Sequence, residues 1–255
     1  PHMVINPNAA TSFIYEHFLR ENPATGVIEP HLVTRWEYLS ETEMVLHVRQ
    51  DVRFQNRPPV NGRAMTAADV AYSLERIRTN DPRFLRRSQL ASVTKIEALD
   101  GARVRVTFKE PFAPFLTYLT DQFNQVVPRE AVEKFGNLEK IEDAIGTGPF
   151  VFERATLGVG GSLKRNPDYW QKGKPYLEGA AWSVIPDAAT MVAAYRTARL
   201  DLGASLYGGV TVEEKDAIQR TNPAMQFHPG PAVRPNVLNM NVTRKPFTDV
   251  RVRKA

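Results

Sequence analysis

The side chains that could carry chemistry are few and scattered. Five histidines, His2, His17, His31, His47 and His228, are spread over 255 residues. A helical zinc site of the hydrolytic kind needs two histidines four residues apart beside a glutamate, and no pair has that spacing. Each therefore reads as a surface or structural histidine. Two acidic pairs, Glu142-Asp143 and Glu213-Glu214, are adjacent in sequence. Neighbours on a helix point in different directions, whereas acid/base catalysis needs carboxylates that converge on one substrate. Gly158-Val159-Gly160-Gly161-Ser162 has the composition of a phosphate-cradling loop but the wrong glycine spacing, and reads as a strand-to-strand turn. The nucleophile elbow of serine hydrolases is absent as well. No catalytic residue, metal ligand or cofactor is assigned.

Composition narrows the class further. The chain is 42% hydrophobic and 24% charged, an ordinary globular balance, and it contains no cysteine, so neither disulfides nor thiolate metal sites enter. The net charge is +5, from 33 basic and 28 acidic residues that are intermingled. The densest basic cluster, Arg83, Arg86 and Arg87, is too short to track a phosphate backbone, and aromatics do not interleave with basic residues. A nucleic-acid partner is not expected. No run of 18 apolar residues suggests a membrane span. Pro1-His2-Met3 resembles the remnant of a cleaved tag, and the last residues read as the opening turn of a helix.

These residues must be positioned by a mixture of strands and helices. Apolar positions Phe13, Ile14, Phe18 and Leu19 predict a helix over 13–20, broken by Asn22-Pro23. Met44, Leu46 and Val48 alternate with Val45, His47 and Arg49, a strand period. Thr66-Ala67-Ala68-Asp69 has capping-box spacing and opens a helix with Val70, Leu74 and Ile77 on one face. Val93–Ala98 and Arg103–Lys109 form a hairpin through Asp100-Gly101. A short helix over 129–135 stops at Gly136, and a strand pair flanks the turn at 158–161. A strand at 181–185, a helix from Asp187 to about Arg199, a strand at 201–206, a helix at 212–220 and a last strand at 237–242 complete the reading. The class is α/β with mixed α+β character.

Several segments together resemble the extracellular solute-binding proteins that deliver peptides, nickel or sugars to ABC transporters. They are Tyr15-Glu16 with Ile28–Leu32 and Arg35-Trp36-Glu37, the strand at 44–54, and PPVNGRAMTAADVAYSLERI at 58–77. GTGPF at 146–150, RNPDYW at 165–170, and Pro246-Phe247 with Asp249–Arg253 follow in the same order. Each has a structural reading too: Gly146 and Gly148 allow a tight backbone turn, and Tyr169 and Trp170 pack as structural aromatics with their polar tips satisfied. The sequence departs from the pattern at His17, where glycine is usual, and at Thr197–Asp201.

The resemblance implies a periplasmic-binding-protein-like lobe, a mixed sheet with flanking helices, spanning residues 4–255. An inserted subdomain would occupy about 40–140, and a second lobe, missing here, would begin after about 250. It implies a binding component of an ABC importer and not an enzyme, with a peptide or small solute held in the interlobe cleft and permease subunits as partners. The expected form is a monomer in the periplasm or a cell-surface lipoprotein. Alignment places Asn8, Asn124, Leu206, Tyr207, Arg234, Asn236 and Leu238 at the cleft. Tyr207 offers an apolar face with a hydroxyl, and Asn236 a donor and an acceptor. A sensor domain of a regulator and, less favoured, a hydrolase are the alternatives.

Overall fold

The computed structural model describes residues 11–79, 84, 86–136, 138, 140–202, 210–228 and 239–254. The chain divides into two compact units, Pro1–Ile185 and Pro186–Ala255.

In the first unit a four-stranded sheet runs β3-β4-β6-β5, from β3 (Val33–Ser40), β4 (Glu43–Val48), β5 (Val93–Ala98) and β6 (Arg103–Phe108). Every pairing in it is antiparallel. The expected hairpin between β5 and β6 forms with Ala98 opposite Val104. At its turn the Ala102 amide donates to Asp100 Oδ1 at 2.8 Å. Met44, Leu46, Val48, Val104 and Val106 are buried and share one core with Val70, Leu74 and Ile77 of helix α1 (Ala67–Arg78). Burying each such side chain contributes about 1.5–3 kcal/mol. The capping box is as expected: the Thr66 amide donates to Asp69 Oδ2 at 2.9 Å. Asp69 also receives Arg63, at 2.9 and 2.6 Å. Arg63 reaches Glu130, at the start of helix α3 (Arg129–Phe135), with its other edge. A short helix α2 (Phe115–Tyr118) lies between them in sequence.

A second sheet, β7 (Phe150–Thr156), β8 (Gly160–Arg165) and β9 (Gly179–Ser183), is an antiparallel meander. The glycine-rich segment is a strand-to-strand turn, as expected, although Gly160 and Gly161 already belong to β8. A two-stranded ribbon, β1 (Leu19–Glu21) with β2 (Ile28–Pro30), precedes both sheets.

The helix expected over 13–20 is corrected. Only one helical turn forms, over 11–14, and the chain then extends. Ile14, Tyr15, Glu16, Phe18 and Leu19 are all buried, which one face of a helix cannot achieve. Their backbone groups are claimed by distant partners instead. Val33 N donates to the Phe18 carbonyl at 2.8 Å, Val126 N to the Glu16 carbonyl at 3.1 Å, and Leu19 N to the Leu119 carbonyl at 3.1 Å.

In the second unit, α4 (Ala188–Arg196) is capped as expected, with Thr190 N donating to Asp187 Oδ1 at 2.7 Å. Helix α5 (Val212–Thr221) has a reciprocal capping box between Thr211 and Glu214, and α6 (Val250–Lys254) closes the described chain. The strand expected at 201–206 lies mostly outside the described residues. The one expected at 237–242 is corrected where it is described: Asn239–Val242 is not strand. There Asn241 turns the backbone, its Oδ1 accepting from Thr243 N at 3.0 Å.

Candidate ligand-binding site

Of the residues assigned to the cleft by resemblance, Asn124 is the one that the structure describes. Asn8, Leu206, Tyr207, Arg234, Asn236 and Leu238 lie outside the described residues. Asn124 sits in the loop after α2, bound to the extended segment 15–18 by a bridge between His17 and Gln125. Its side chain is 1% exposed. The amide nitrogen donates to Gln89 Oε1 and to the Tyr118 carbonyl, both at 2.8 Å. Gln89 in turn donates to Asp121 Oδ2 at 2.6 Å, and Asp121 Oδ1 accepts from Phe123 N at 2.9 Å. The loop is thus fixed by Asp121 and by Gln89 from an earlier turn, with the Arg86 guanidinium 4.5 Å from the Phe123 ring centre.

Two buried polar atoms in this region are left over. Asn124 Oδ1 is buried with no hydrogen-bond partner, and so is His17 Nε2. Burial, and next the nearby His31, hold the His17 imidazole below its ordinary pKa. An unpaired buried polar atom costs about 1–3 kcal/mol.

Behind the loop, Glu16 is a buried carboxylate, 5% exposed. It accepts from the Tyr169 hydroxyl at 2.8 Å and from Trp170 Nε1 at 3.0 and 3.1 Å, and His31 Nε2 lies 3.2 Å away. The Arg49 guanidinium lies over the Trp170 ring, 4.4 Å from its centre. Burial and the Glu16 charge both raise the Tyr169 pKa. The two aromatics are structural with satisfied tips, as the sequence implied. What the sequence did not expose was their common acceptor, more than 150 residues earlier in the chain.

The GTGPF segment closes on the same N-terminal stretch. A Cβ at Gly146 would stand 2.1 Å from the Ile14 carbonyl oxygen, and one at Gly148 2.6 Å from it. Gln55, fully buried, spans the contact by donating to the Phe150 carbonyl at 2.7 Å. Sequence reasoning missed Gln55, because a polar residue in the run Val52-Arg53-Phe54-Gln55 carries no periodic signal. Burial pushes the Tyr15 hydroxyl pKa up to about 12. Among the described residues no cluster of three or more His, Asp or Glu could hold a metal ion. No described helix is long and apolar enough to cross a membrane.

Residues 27–255 match the family described as bacterial extracellular solute-binding proteins, family 5, middle region. The glutathione-binding protein GsiB of Salmonella typhi is 29% identical over 208 residues, covering 82% of this chain and 38% of that protein. The fold is similar to that of the binding protein MoaA of A. tumefaciens in complex with mannopinic acid. The TM-score there is 0.79 and the identity 25%, over 97% of this chain and 49% of that one. It is also similar to the periplasmic binding protein DppA of Helicobacter pylori in complex with the peptide STSA. That match has a TM-score of 0.64 and 27% identity, over 75% of this chain and 40% of that one. The chain therefore spans less than half the length of each of these relatives.

Proposed function

The chain belongs to the bacterial extracellular solute-binding proteins of family 5, and from that premise we propose that it is the amino-terminal lobe of the substrate-binding component of an ABC importer. The family is one of solute binders that work outside the cytoplasmic membrane. On this reading the protein captures a peptide or a similar small solute between two lobes and presents it to permease subunits. The lobe occupies residues 4–255, with a subdomain inserted at about 40–140 and the second lobe following residue 250. The protein is a monomer, periplasmic or lipid-anchored at the cell surface, and it has no catalytic role. The relatives give no support to a regulator's sensor domain or to a hydrolase.

The observation that carries the proposal is the coincidence of the motif order with a fold similar to MoaA over 97% of the chain. Inside that fold the motif residues build a frame. Glu16 gathers Tyr169 and Trp170, and Gly146 and Gly148 admit the Ile14 backbone. The ligand class is supported by the relatives, a glutathione-binding protein and binding proteins in complex with mannopinic acid and with a short peptide. We assign the cleft to Asn8, Asn124, Leu206, Tyr207, Arg234, Asn236 and Leu238. Asn124, buried and held by Gln89 and the Tyr118 carbonyl, would serve by shaping its cleft-facing loop rather than by touching the ligand.

The test is a thermal-shift titration of the full-length protein with glutathione, di- to hexapeptides and opine acids. Ligand at about 100 times its Kd adds roughly 2.7 kcal/mol of stability, a rise of several degrees. A shift that is lost on Tyr207→Ala or Asn236→Ala supports both the capture and the site. No shift with any member of the panel overturns the proposed substrate class.

A further inference from the structure

A cavity of about 360 Å³ opens at the β7–β8 turn of the second sheet, and neither Asn124 nor the residues around Glu16 line it. That volume is at the small end of the range for ligand pockets. Its apolar wall is made by Ile141, Leu157, Trp182 and Val184, and Lys140 and Glu142 also line it.

The wall is shaped by local sequence. Gly158 turns with φ +76° and adds no side chain. A Cβ at Gly161 would stand 2.4 Å from the Trp182 ring, so glycine there lets the indole lie directly on the β8 backbone. The turn over Ile141–Asp143 is pinned by Arg57, which donates to the Glu142 carbonyl at 2.9 Å and the Ala144 carbonyl at 3.0 Å. Leu157 is 76% exposed, a large apolar side chain held in water beside a half-buried tryptophan. Neither Lys140 nor Glu142 has an ion pair among the described residues, so one cation and one carboxylate remain available two residues apart.

We propose that this cavity is a second small-molecule site, for a free amino acid with a large apolar or aromatic side chain. The side chain packs on Trp182, Leu157 and Val184, where an aromatic ring gains from offset or edge contact with the indole. Lys140 takes the α-carboxylate and Glu142 the α-ammonium, each as a charge-assisted bond. The inference does not depend on capture between lobes, because the cavity is complete within the first unit.

The experiment is calorimetric titration of the 255-residue chain with L-phenylalanine and L-tryptophan. We expect saturable binding with a Kd below about 1 mM. 3-Phenylpropionate, which lacks the ammonium, and phenethylamine, which lacks the carboxylate, should each bind at least ten-fold more weakly. Leu157→Asp, at an exposed turn where folding is insensitive, should weaken L-phenylalanine at least ten-fold. Trp182→Leu should do the same, and the remote Tyr38→Asp should change nothing. Absence of saturation, binding of either analogue as tight as that of L-phenylalanine, or indifference to Leu157→Asp would overturn the proposal. Because the second lobe takes no part, these outcomes are separable from success or failure of the full-length ligand panel.

Discussion

At the scale of single residues, the buried Glu16 carboxylate decides more than its motif position suggests. Glu16→Ala would leave the Tyr169 hydroxyl and the Trp170 indole N–H without an acceptor, at about 1–3 kcal/mol for each group. For a protein of this size we expect Tm to fall by roughly 4–15 °C, read by differential scanning calorimetry. His17 makes a pH prediction. Its folded-state pKa lies below the ordinary value of 6.5, so the unfolded chain binds the proton more readily. The neutral imidazole's contribution is therefore complete above the ordinary pKa and is lost as pH falls from there through the folded value. Urea midpoints measured between about pH 8 and pH 5 should decline less steeply in His17→Gln than in the parent. An unchanged slope would show that His17 is not protonated preferentially on unfolding. Tyr15, with its pKa near 12, should ionise after the exposed tyrosines in an alkaline absorbance titration.

Elements are fixed here by contacts at their ends as much as by periodicity. Helix α1 starts where Thr66 and Asp69 exchange bonds, and Asp69 is at once the anchor of Arg63. Asp69→Ala removes the cap and strands half of a bidentate arginine, so its cost should exceed the ~1 kcal/mol of an ordinary cap. Chemical denaturation of Asp69→Ala against Thr66→Ala would measure the difference. The GTGPF turn is a stricter case. Gly146→Ala puts a methyl group 2.1 Å from a backbone oxygen, and backbone cannot rotate away as a side chain can. We expect loss of soluble protein or a severe drop in Tm, whereas Gly101→Ala, with open space around it, should be nearly neutral.

For the whole molecule, the resemblance predicts a division of labour between halves. If the ligand is held between lobes, most of its buried surface and the groups that fix its charged ends are shared with the part of the protein beyond this chain. The 255-residue chain should then bind the panel's best ligand at least ten-fold more weakly than the full-length protein, by calorimetry under identical salt. Equal affinity would place the whole site on this lobe and remove the need for closure.

The sequence by itself determined the family, the class of fold and the elements whose signals are local. The capping box at Thr66, the Asp100-Gly101 hairpin and the stop at Gly136 could be read because each depends on residues within a few positions of one another. Tertiary structure alone decided the segment 13–20. Its apolar spacing suits a helix, but Val33, Leu119 and Val126 supply backbone partners from three directions and draw it out straight. The same holds for Asn124, whose loop is set by Gln89 and Asp121, and for Glu16, whose donors arrive from residues 169 and 170. Such contacts join positions far apart in the chain, and no period or spacing within one stretch of sequence records them.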